Sequence, residues 1–297
     1  MLADVAGSPV CFDLNDGSGI HPGLLTGTEF YFKRSCEPAR YQGLDHRARI
    51  FPLGLNYAVY EDGPDRFALQ RMLQGTGGLR SVVRRLGFPR PSAPRLRDLE
   101  AEPMRGGTPR VLFYTRLWDP AETHDDAGQA WRDHINRQRM ASVRALKREL
   151  SHRFLGGVEP GPLARRLCPD LLADGAVVRK RAYLDVVRKT AICVTTTGLH
   201  GSNGWKLAEY VAFARAIVTE PLRHEVPGPF DAGRNYLAFE SPDQCVERCL
   251  ELMDDAAQRE AMMQRNHAYY HAHLQPEALV MNALTRVAGR AAPGFES

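Results

Sequence analysis

The sequence predicts an α/β protein with two lobes, each built on a parallel sheet covered by helices. From residue 111 onward, short apolar runs rich in β-forming residues alternate with helical stretches, which indicates repeated strand–helix–strand units. A shorter, less regular stretch of the same kind precedes them. Residues 87–109 separate the two with five prolines, three glycines and no regular period. We interpret this segment as a linker and expect a first lobe at 1–100, a second lobe at 108–275 and a C-terminal helix within 276–297.

The composition is that of a globular protein rather than a membrane or nucleic-acid-binding one. The chain has 297 residues, of which 43% are hydrophobic and 25% charged, and its net charge is only +4. This small positive excess fits an anionic small ligand, and no basic stripe interleaved with aromatic residues indicates nucleic acid. No apolar run is long enough for an integral membrane segment, and the N-terminus lacks a secretion signal, so we expect a cytoplasmic location. The six cysteines contain no Cys-x-x-Cys pair, so we expect buried thiols and no zinc site.

The second lobe reads as six strands alternating with helices. The predicted strands are 111–115, 154–158, 176–178, 191–195, 216–219 and 236–239. The predicted helices are 131–153, 181–188, 204–213, 242–254, 257–271 and 276–287. Ser241 and Pro242 give one of these helices a clear start, because a serine side chain caps the first turn and proline fits within it. Parallel sheets bind ligands at the carboxyl ends of their strands, so active residues should lie near Arg116, within 196–206 and near Glu220.

The first lobe is short. The sequence predicts three strands, at 10–14, 29–32 and 50–53, and a mostly helical segment at 66–86. Open sheets usually have about 5–6 strands, with their edges paired or covered. A lobe this small therefore needs cover from elsewhere, and we expect a homodimer that contacts through it. A gene start upstream of Met1 is the alternative explanation for the missing strands.

The segment 195–220 carries the strongest functional signal. A buried strand ends in threonines, a loop from Gly198 to Gly204 follows, and a helix then begins with Lys206 and Glu209 in its first two turns. Loop amides and a helix N-terminus form an anion site, to which Lys206 adds a positive charge. Glu209 can accept hydrogen bonds from two sugar hydroxyls. The alternative is an ordinary strand–helix turn in which the charged residues are solvated.

This segment resembles the donor site of the two-lobed (GT-B) glycosyltransferases. Asn203, Gly204, Lys206 and Glu209, followed by the strand at 216–220, match its pattern of loop, basic residue, glutamate and strand. The closest resemblance is to group 1 C-terminal domains, including spore-maturation-type and exostosin-like enzymes, and it covers roughly residues 110–275. It implies two Rossmann-like lobes, of which the first is abbreviated here. It also implies that the C-terminal helix returns to that first lobe.

The resemblance implies that the ligand is a nucleotide-diphosphate sugar, which is a substrate, and that no cofactor takes part. Arg116 would face the diphosphate and Glu209 the ribose. The donor-binding residues that it implies are Arg116, Thr197, Gly198, Ser202, Asn203, Gly204, Lys206 and Glu209. Two positions depart from the pattern. Gly201 stands where many retaining relatives carry an acid, and Lys206 often corresponds to arginine, so the stereochemical outcome stays open.

The catalytic candidates are Asp16, His21 and His200. Asp16 and His21 follow the first-lobe strand at 10–14, where either could act as general base on an acceptor hydroxyl. Turn-forming aspartates and a surface histidine are the alternative. His200 lies in the donor loop and could contact the sugar or the leaving diphosphate. The basic run at 179–181 could flank the nucleotide base or be solvated.

These residues predict a glycosyltransferase that moves a sugar from a nucleotide-diphosphate donor to a hydroxyl of a glycan or small-molecule acceptor. No metal is expected, because no Asp-x-Asp motif follows a strand. Two kinds of alternative remain open. One is a non-catalytic relative that binds nucleotide sugars. The other is a sugar-nucleotide epimerase or a phosphorylase of the same fold.

Overall fold

The computed structural model describes residues 1–44, 49–59, 94–175 and 179–291, which form two β-sheets with helices packed against them. The helix expected at 66–86, the strand expected at 176–178 and part of the expected linker lie outside the described residues. The α/β class and the parallel sheets predicted from the sequence are confirmed. None of the helices within these ranges combines the length and apolar character that crossing a membrane requires.

The first sheet has four strands in the order β1-β2-β3-β4, with only β1 and β2 antiparallel to each other. Its strands are β1 (Leu2–Val5), β2 (Ser8–Asp13), β3 (Phe30–Lys33) and β4 (Ile50–Pro52). The expectation of three strands was wrong, because it missed β1. The chain reverses at Ala6 and Gly7, which both have positive φ, as a two-residue hairpin turn requires.

The C-terminal helix α9 (Pro276–Ala291) packs on this first sheet, which gives the sheet an apolar core. Ala283 and Val287 of the helix are buried in one cluster with Val10, Phe30 and Phe32. A helix from the end of the chain therefore supplies cover that the short first sheet lacks.

The second sheet has five parallel strands in the order β6-β5-β7-β8-β9. They are β5 (Val111–Thr115), β6 (Phe154–Val158), β7 (Ile192–Thr195), β8 (Ala216–Thr219) and β9 (Leu237–Ala238). Because all five run in one direction, their carboxyl ends meet at one edge of the sheet.

Helices cover both faces of the second sheet. The α-helices of the described residues are α1 (Pro22–Thr26), α2 (Leu96–Leu99), α3 (Asp126–Leu150), α4 (Pro162–Leu167), α5 (Lys180–Arg188), α6 (Trp205–Ala212), α7 (Pro242–Asp254), α8 (Ala256–Tyr269) and α9 (Pro276–Ala291). Alternate side chains of β5 point to opposite cores. Val111 and Phe113 pack with α3 and α7, whereas Leu112 and Tyr114 pack with α5 and α6.

The largest error in helix boundaries concerns α3, which was expected at 131–153. It begins at Asp126, because the carboxylate of Asp125 accepts a hydrogen bond from the Gly128 amide at 2.6 Å and caps the first turn. The expected serine cap of α7 is present, since the Ser241 side chain accepts from the Gln244 amide. All six cysteines are free and buried, as expected.

Candidate functional site

A cleft of ≈ 560 Å³ lies between the carboxyl ends of the two sheets. The first sheet contributes Asp16 and Arg34, which follow β2 and β3. The second sheet contributes residues at the ends of β5, β6 and β7, together with the first turns of α5 and α6. This is where doubly wound α/β sheets bind their ligands.

Positive charge predominates in the cleft. Its basic lining residues are Arg34, Arg116, Arg139, Lys180 and Lys206. Its acidic lining residues are Asp16, Glu159 and Glu209. The N-terminus of α6 also points to this cleft, since Trp205 and Lys206 line it, and the first amides of a helix have no partner within the helix. The cleft therefore attracts anions.

Most of the expected site residues come together there. Asp16, Arg116, Gly198, Ser202, Gly204, Lys206 and Glu209 all line the cleft. His21 and His200 are exposed and are not among its described lining residues. The backbone of His21 is used locally, since its carbonyl accepts hydrogen bonds from the first turn of α1. Of the three catalytic candidates, only Asp16 lies at the cleft.

The donor loop after β7 is held mainly by its own backbone. The Gly198 amide donates to the Ser202 carbonyl at 2.9 Å, and the Gly201 amide donates to the Gly198 carbonyl at 3.2 Å. The Ser202 amide donates to the Leu199 carbonyl at 3.1 Å. These three amides are already paired, so the prediction that loop amides face a diphosphate is left to the other amides of the loop. In the first turn of α6, the Leu207 amide donates to the Gly204 carbonyl at 3.0 Å, whereas the Trp205 and Lys206 amides make no hydrogen bond within the described residues and remain for an anion.

Thr197 and Asn203 hold the loop from behind the cleft rather than lining it. The Thr197 amide and hydroxyl both donate to the Glu220 carboxylate, at 2.8 and 2.5 Å. Asn203 is buried, and its side-chain amide donates to the His224 carbonyl at 3.1 Å. Because the polar groups of Thr197 are already paired with protein partners, it positions the loop and leaves the ligand to other residues.

Arg139 is a functional residue that the sequence reasoning missed. Its guanidinium donates to the Arg116 carbonyl at 2.7 Å, the Thr196 hydroxyl at 2.9 Å and the Thr197 carbonyl at 3.0 Å. It therefore connects the segments that follow β5 and β7. Burial lowers the pKa of Arg139 to about 10, so it stays charged at neutral pH. Its position on the buried face of α3, one turn after Ile135, is the signal that could have revealed it.

Arg116 presents an unpaired guanidinium to the cleft. Its side chain is exposed and lies 3.8 Å from the Trp118 ring centre in a cation–π contact. Within the described residues it makes no side-chain hydrogen bond and no ion pair. The tryptophan orients the guanidinium and leaves its donors available to a ligand.

Lys206 and Glu209 both face the cleft from α6, but neither is free. The Lys206 ammonium donates to the Tyr114 carbonyl, and burial lowers its pKa to about 8, an effect that Glu209 partly offsets. The Glu209 carboxylate is buried and forms an ion pair with Lys180, the first residue of α5. The sequence alone did not bring Lys180 and Glu209 together, because they lie on different helices.

Arg34 links the two sheets. It forms an ion pair with Asp16 and donates to the Asn203 carbonyl at 3.4 Å, and burial lowers its pKa to about 10. The neighbouring Lys33 is fully buried and pairs with Asp13 at 2.9 Å, so it is not available to an acceptor. Burial raises the pKa of Asp13, but hydrogen bonds from Tyr31, Asn15 and Lys33 outweigh it and hold the pKa below its usual value. Asp13 is therefore a structural carboxylate.

The described residues contain no group of three or more His, Cys, Asp or Glu side chains arranged to hold a metal ion. The acidic side chains that line the cleft, among the residues that the structure describes, are Asp16, Glu159 and Glu209. Fold and cleft together define a two-lobed α/β protein with an anion-attracting site between its sheets.

Residues 127–285, more than half of the chain, match the glycosyl transferase-like family. The protein belongs to that family. It matches no curated protein.

Several solved structures share a weak likeness. The C-terminal domain of a glycosyl transferase group 1 family protein (LpcC) from Francisella tularensis is 12% identical, with 61% of this chain and 98% of that one covered and a TM-score of 0.43. A putative UDP-N-acetylglucosamine 2-epimerase from Listeria monocytogenes is 12% identical, with 92% and 64% covered and a TM-score of 0.42. S. aureus TarM, in complex with UDP among other ligands, is 10% identical, with 63% and 37% covered and a TM-score of 0.41. The chain thus spans less than two thirds of the latter two proteins. Likeness at this level assigns neither activity nor ligand.

Proposed function

We propose that the protein is a metal-independent glycosyltransferase that moves a sugar from a nucleotide-diphosphate donor to a hydroxyl of a glycan or small-molecule acceptor. One observation carries the proposal. The cleft combines an excess of basic side chains and a helix N-terminus with the buried carboxylate of Glu209. Cations suit a diphosphate, and a carboxylate suits the two hydroxyls of a ribose. A closer relation to spore-maturation-type or exostosin-like enzymes remains a prediction.

In this proposal the cleft stabilises the leaving group. The bond between the anomeric carbon and the diphosphate oxygen breaks, and its electron pair leaves with the diphosphate. Arg116, the Lys206 ammonium and the amides of Trp205 and Lys206 receive the charge that develops there, and the bond from Lys206 to the Tyr114 carbonyl holds its ammonium in place. A preorganised donor of this kind typically contributes about 3 kcal/mol to catalysis.

Asp16 is the proposed general base. It lines the cleft from the side of the first sheet and forms an ion pair with Arg34. As the acceptor oxygen forms its bond to the anomeric carbon, the hydroxyl proton passes to the Asp16 carboxylate. His21 and His200 have no role in this proposal, because neither is among the described lining residues.

A binding and turnover panel tests the proposal. UDP, GDP, ADP and representative sugar derivatives of each are first screened by thermal shift, because a ligand that binds only the folded state raises its melting temperature. The donors that bind are then incubated with and without methyl glycosides and simple alcohols, and the products are followed by mass spectrometry. Transfer that requires an acceptor supports a glycosyltransferase.

The other outcomes separate the alternatives. Donor conversion without an acceptor indicates an epimerase, and conversion that depends on inorganic phosphate indicates a phosphorylase. A donor that binds but is never consumed indicates a non-catalytic relative. A protein whose melting temperature responds to none of the nucleotides contradicts the proposal as a whole. Lys189→Met, at the exposed C-terminal end of α5, is a control for a loss of positive charge outside the cleft.

A further inference from the structure

The carboxylate expected to hold the ribose is already occupied. Lys180 forms an ion pair with one oxygen of Glu209, and the side chains are 30% and 4% exposed. Within the described residues, the second Glu209 oxygen makes no hydrogen bond. A ribose diol that binds both oxygens therefore competes with Lys180 for one of them.

The two lysines beside Glu209 differ in their freedom to move. Both ammonium groups lie over the Tyr183 ring, Lys180 at 5.5 Å and Lys206 at 5.4 Å from its centre. Lys206 is also bound to the Tyr114 carbonyl. Lys180 has no such backbone partner in the described part of the chain, and its side chain, at the first residue of α5, is 30% exposed. Lys180 is therefore the cation that can leave Glu209.

Opening this pair is costly for an incomplete ligand. Breaking a buried ion pair by removing one partner leaves a charge without compensation. A nucleoside brings hydroxyls for Glu209 but nothing for Lys180. Inorganic pyrophosphate brings negative charge for Lys180 but leaves Glu209 buried without its cation. A nucleoside diphosphate brings both groups, and both charges then keep a partner.

We propose that Lys180 is a specificity-determining residue whose pairing with Glu209 opens only for a ligand that carries a vicinal diol and a phosphate together. The inference rests on the proposed function, because it takes the ligand to be a nucleoside diphosphate. In the empty cleft Lys180 holds Glu209. In the occupied cleft Glu209 accepts from the ribose hydroxyls and Lys180 donates to a phosphate oxygen. The pair thereby rejects free nucleosides and pyrophosphate.

The test compares Lys180→Met, which keeps the stem and removes the charge, with wild type. The ligands are the best-binding diphosphate among UDP, GDP and ADP, its nucleoside, and pyrophosphate. Affinities are measured by isothermal titration, with saturation-transfer NMR for weak binders. We expect Lys180→Met to weaken binding of the diphosphate about tenfold, which corresponds to the loss of one charge-assisted hydrogen bond. The same substitution should strengthen binding of the nucleoside. Lys180→Arg should restore the affinity for the diphosphate, and Lys189→Met should change neither the affinity for the diphosphate nor that for the nucleoside.

Opposite changes for the two ligands support the proposal, because a residue that only supports the fold cannot strengthen one of them. Equal losses for nucleoside and diphosphate would overturn it and make the pair a structural one, and unchanged affinities would overturn it as well. These outcomes are distinct from failure of the proposed function, in which wild-type protein binds no nucleoside diphosphate at all.

Discussion

The pH dependence of diphosphate binding tests the placement of Lys206 in the cleft. Burial lowers the pKa of Lys206 from 10.5 to about 8 in the ligand-free protein. A bound diphosphate places negative charge beside the ammonium and raises that pKa again. At pH 8 about half of the free protein has lost the Lys206 proton, whereas the complex keeps it. Binding is therefore accompanied by proton uptake and weakens as the pH rises.

The size of the effect follows from the free-protein pKa of about 8. If the complex stays protonated, affinity falls about twofold from pH 7 to pH 8 and about tenfold from pH 7 to pH 9. Arg34 and Arg139 do not interfere below pH 9, since their pKa values are about 10. The terminal phosphate does not interfere either, because its second pKa is near ~6.

The same shift changes folding stability in the absence of ligand. The folded pKa of Lys206 lies below the value of 10.5 that applies when it is unfolded. The unfolded chain therefore binds more protons between about pH 8 and pH 10.5, and the contribution of Lys206 to stability rises with pH across that window.

Isothermal titration at pH 7, 8 and 9 measures the binding effect, and repetition in two buffers of different ionisation enthalpy counts the protons taken up. Lys206→Met is the matched control, which should bind weakly at every pH and lose the proton uptake. If wild-type affinity is the same at pH 7 and pH 9, Lys206 does not face the diphosphate or its pKa is not lowered, and the reasoning is refuted.

Further predictions concern individual residues and assembly. Glu209→Ala should weaken nucleotide-sugar binding and leave the far-ultraviolet circular dichroism unchanged, and unchanged affinity in titration would remove Glu209 from the site. Arg116→Ala should cost more affinity for the diphosphate than for the nucleoside, because its free guanidinium is assigned to phosphate; equal losses would contradict that assignment. Arg139→Met leaves two carbonyls without their donor, at about 1–3 kcal/mol each, so urea unfolding should show a stability loss of that order, and a loss below ~1 kcal/mol would argue against the structural role of Arg139. Light scattering should give twice 33.2 kDa for the homodimer predicted to contact through the first lobe, and a monomeric mass at every concentration would refute it.

The elements that could be predicted from the sequence are those with a strong local pattern. The strands Val111–Thr115 and Phe154–Val158 were placed without error, because each is a short run with a clear turn or helix before it. Strand Leu2–Val5 was missed, because it is a four-residue edge strand without a fully buried side chain. Its signal lies in the turn at Ala6 and Gly7 rather than in hydrophobic periodicity.

The same division applies to the cleft. Arg116 was found because it directly follows a strand, and Lys206 and Glu209 because they lie in the first two turns of the helix after the loop that follows β7. The hydrogen bonds of Arg139 were missed because the residue lies in the middle of a long helix, far along the chain from Thr196. The contact of Arg34 with Asn203 joins residues 169 positions apart, and no local pattern encodes such a pairing.

The residues of the donor motif and the charges of the cleft have different tasks. Gly198, Ser202 and Gly204 of the loop after β7 line the cleft, but the Gly198 amide pairs within the loop and Thr197 is held by Glu220 and Arg139. The cations come from separate places, since Arg116 follows β5, Lys180 begins α5 and Lys206 lies in α6. Arg139 connects this loop to the segment after β5, because its guanidinium donates to Thr196, Thr197 and the Arg116 carbonyl. Anion binding therefore depends on how the strand ends are clamped together as much as on the motif that the sequence displays.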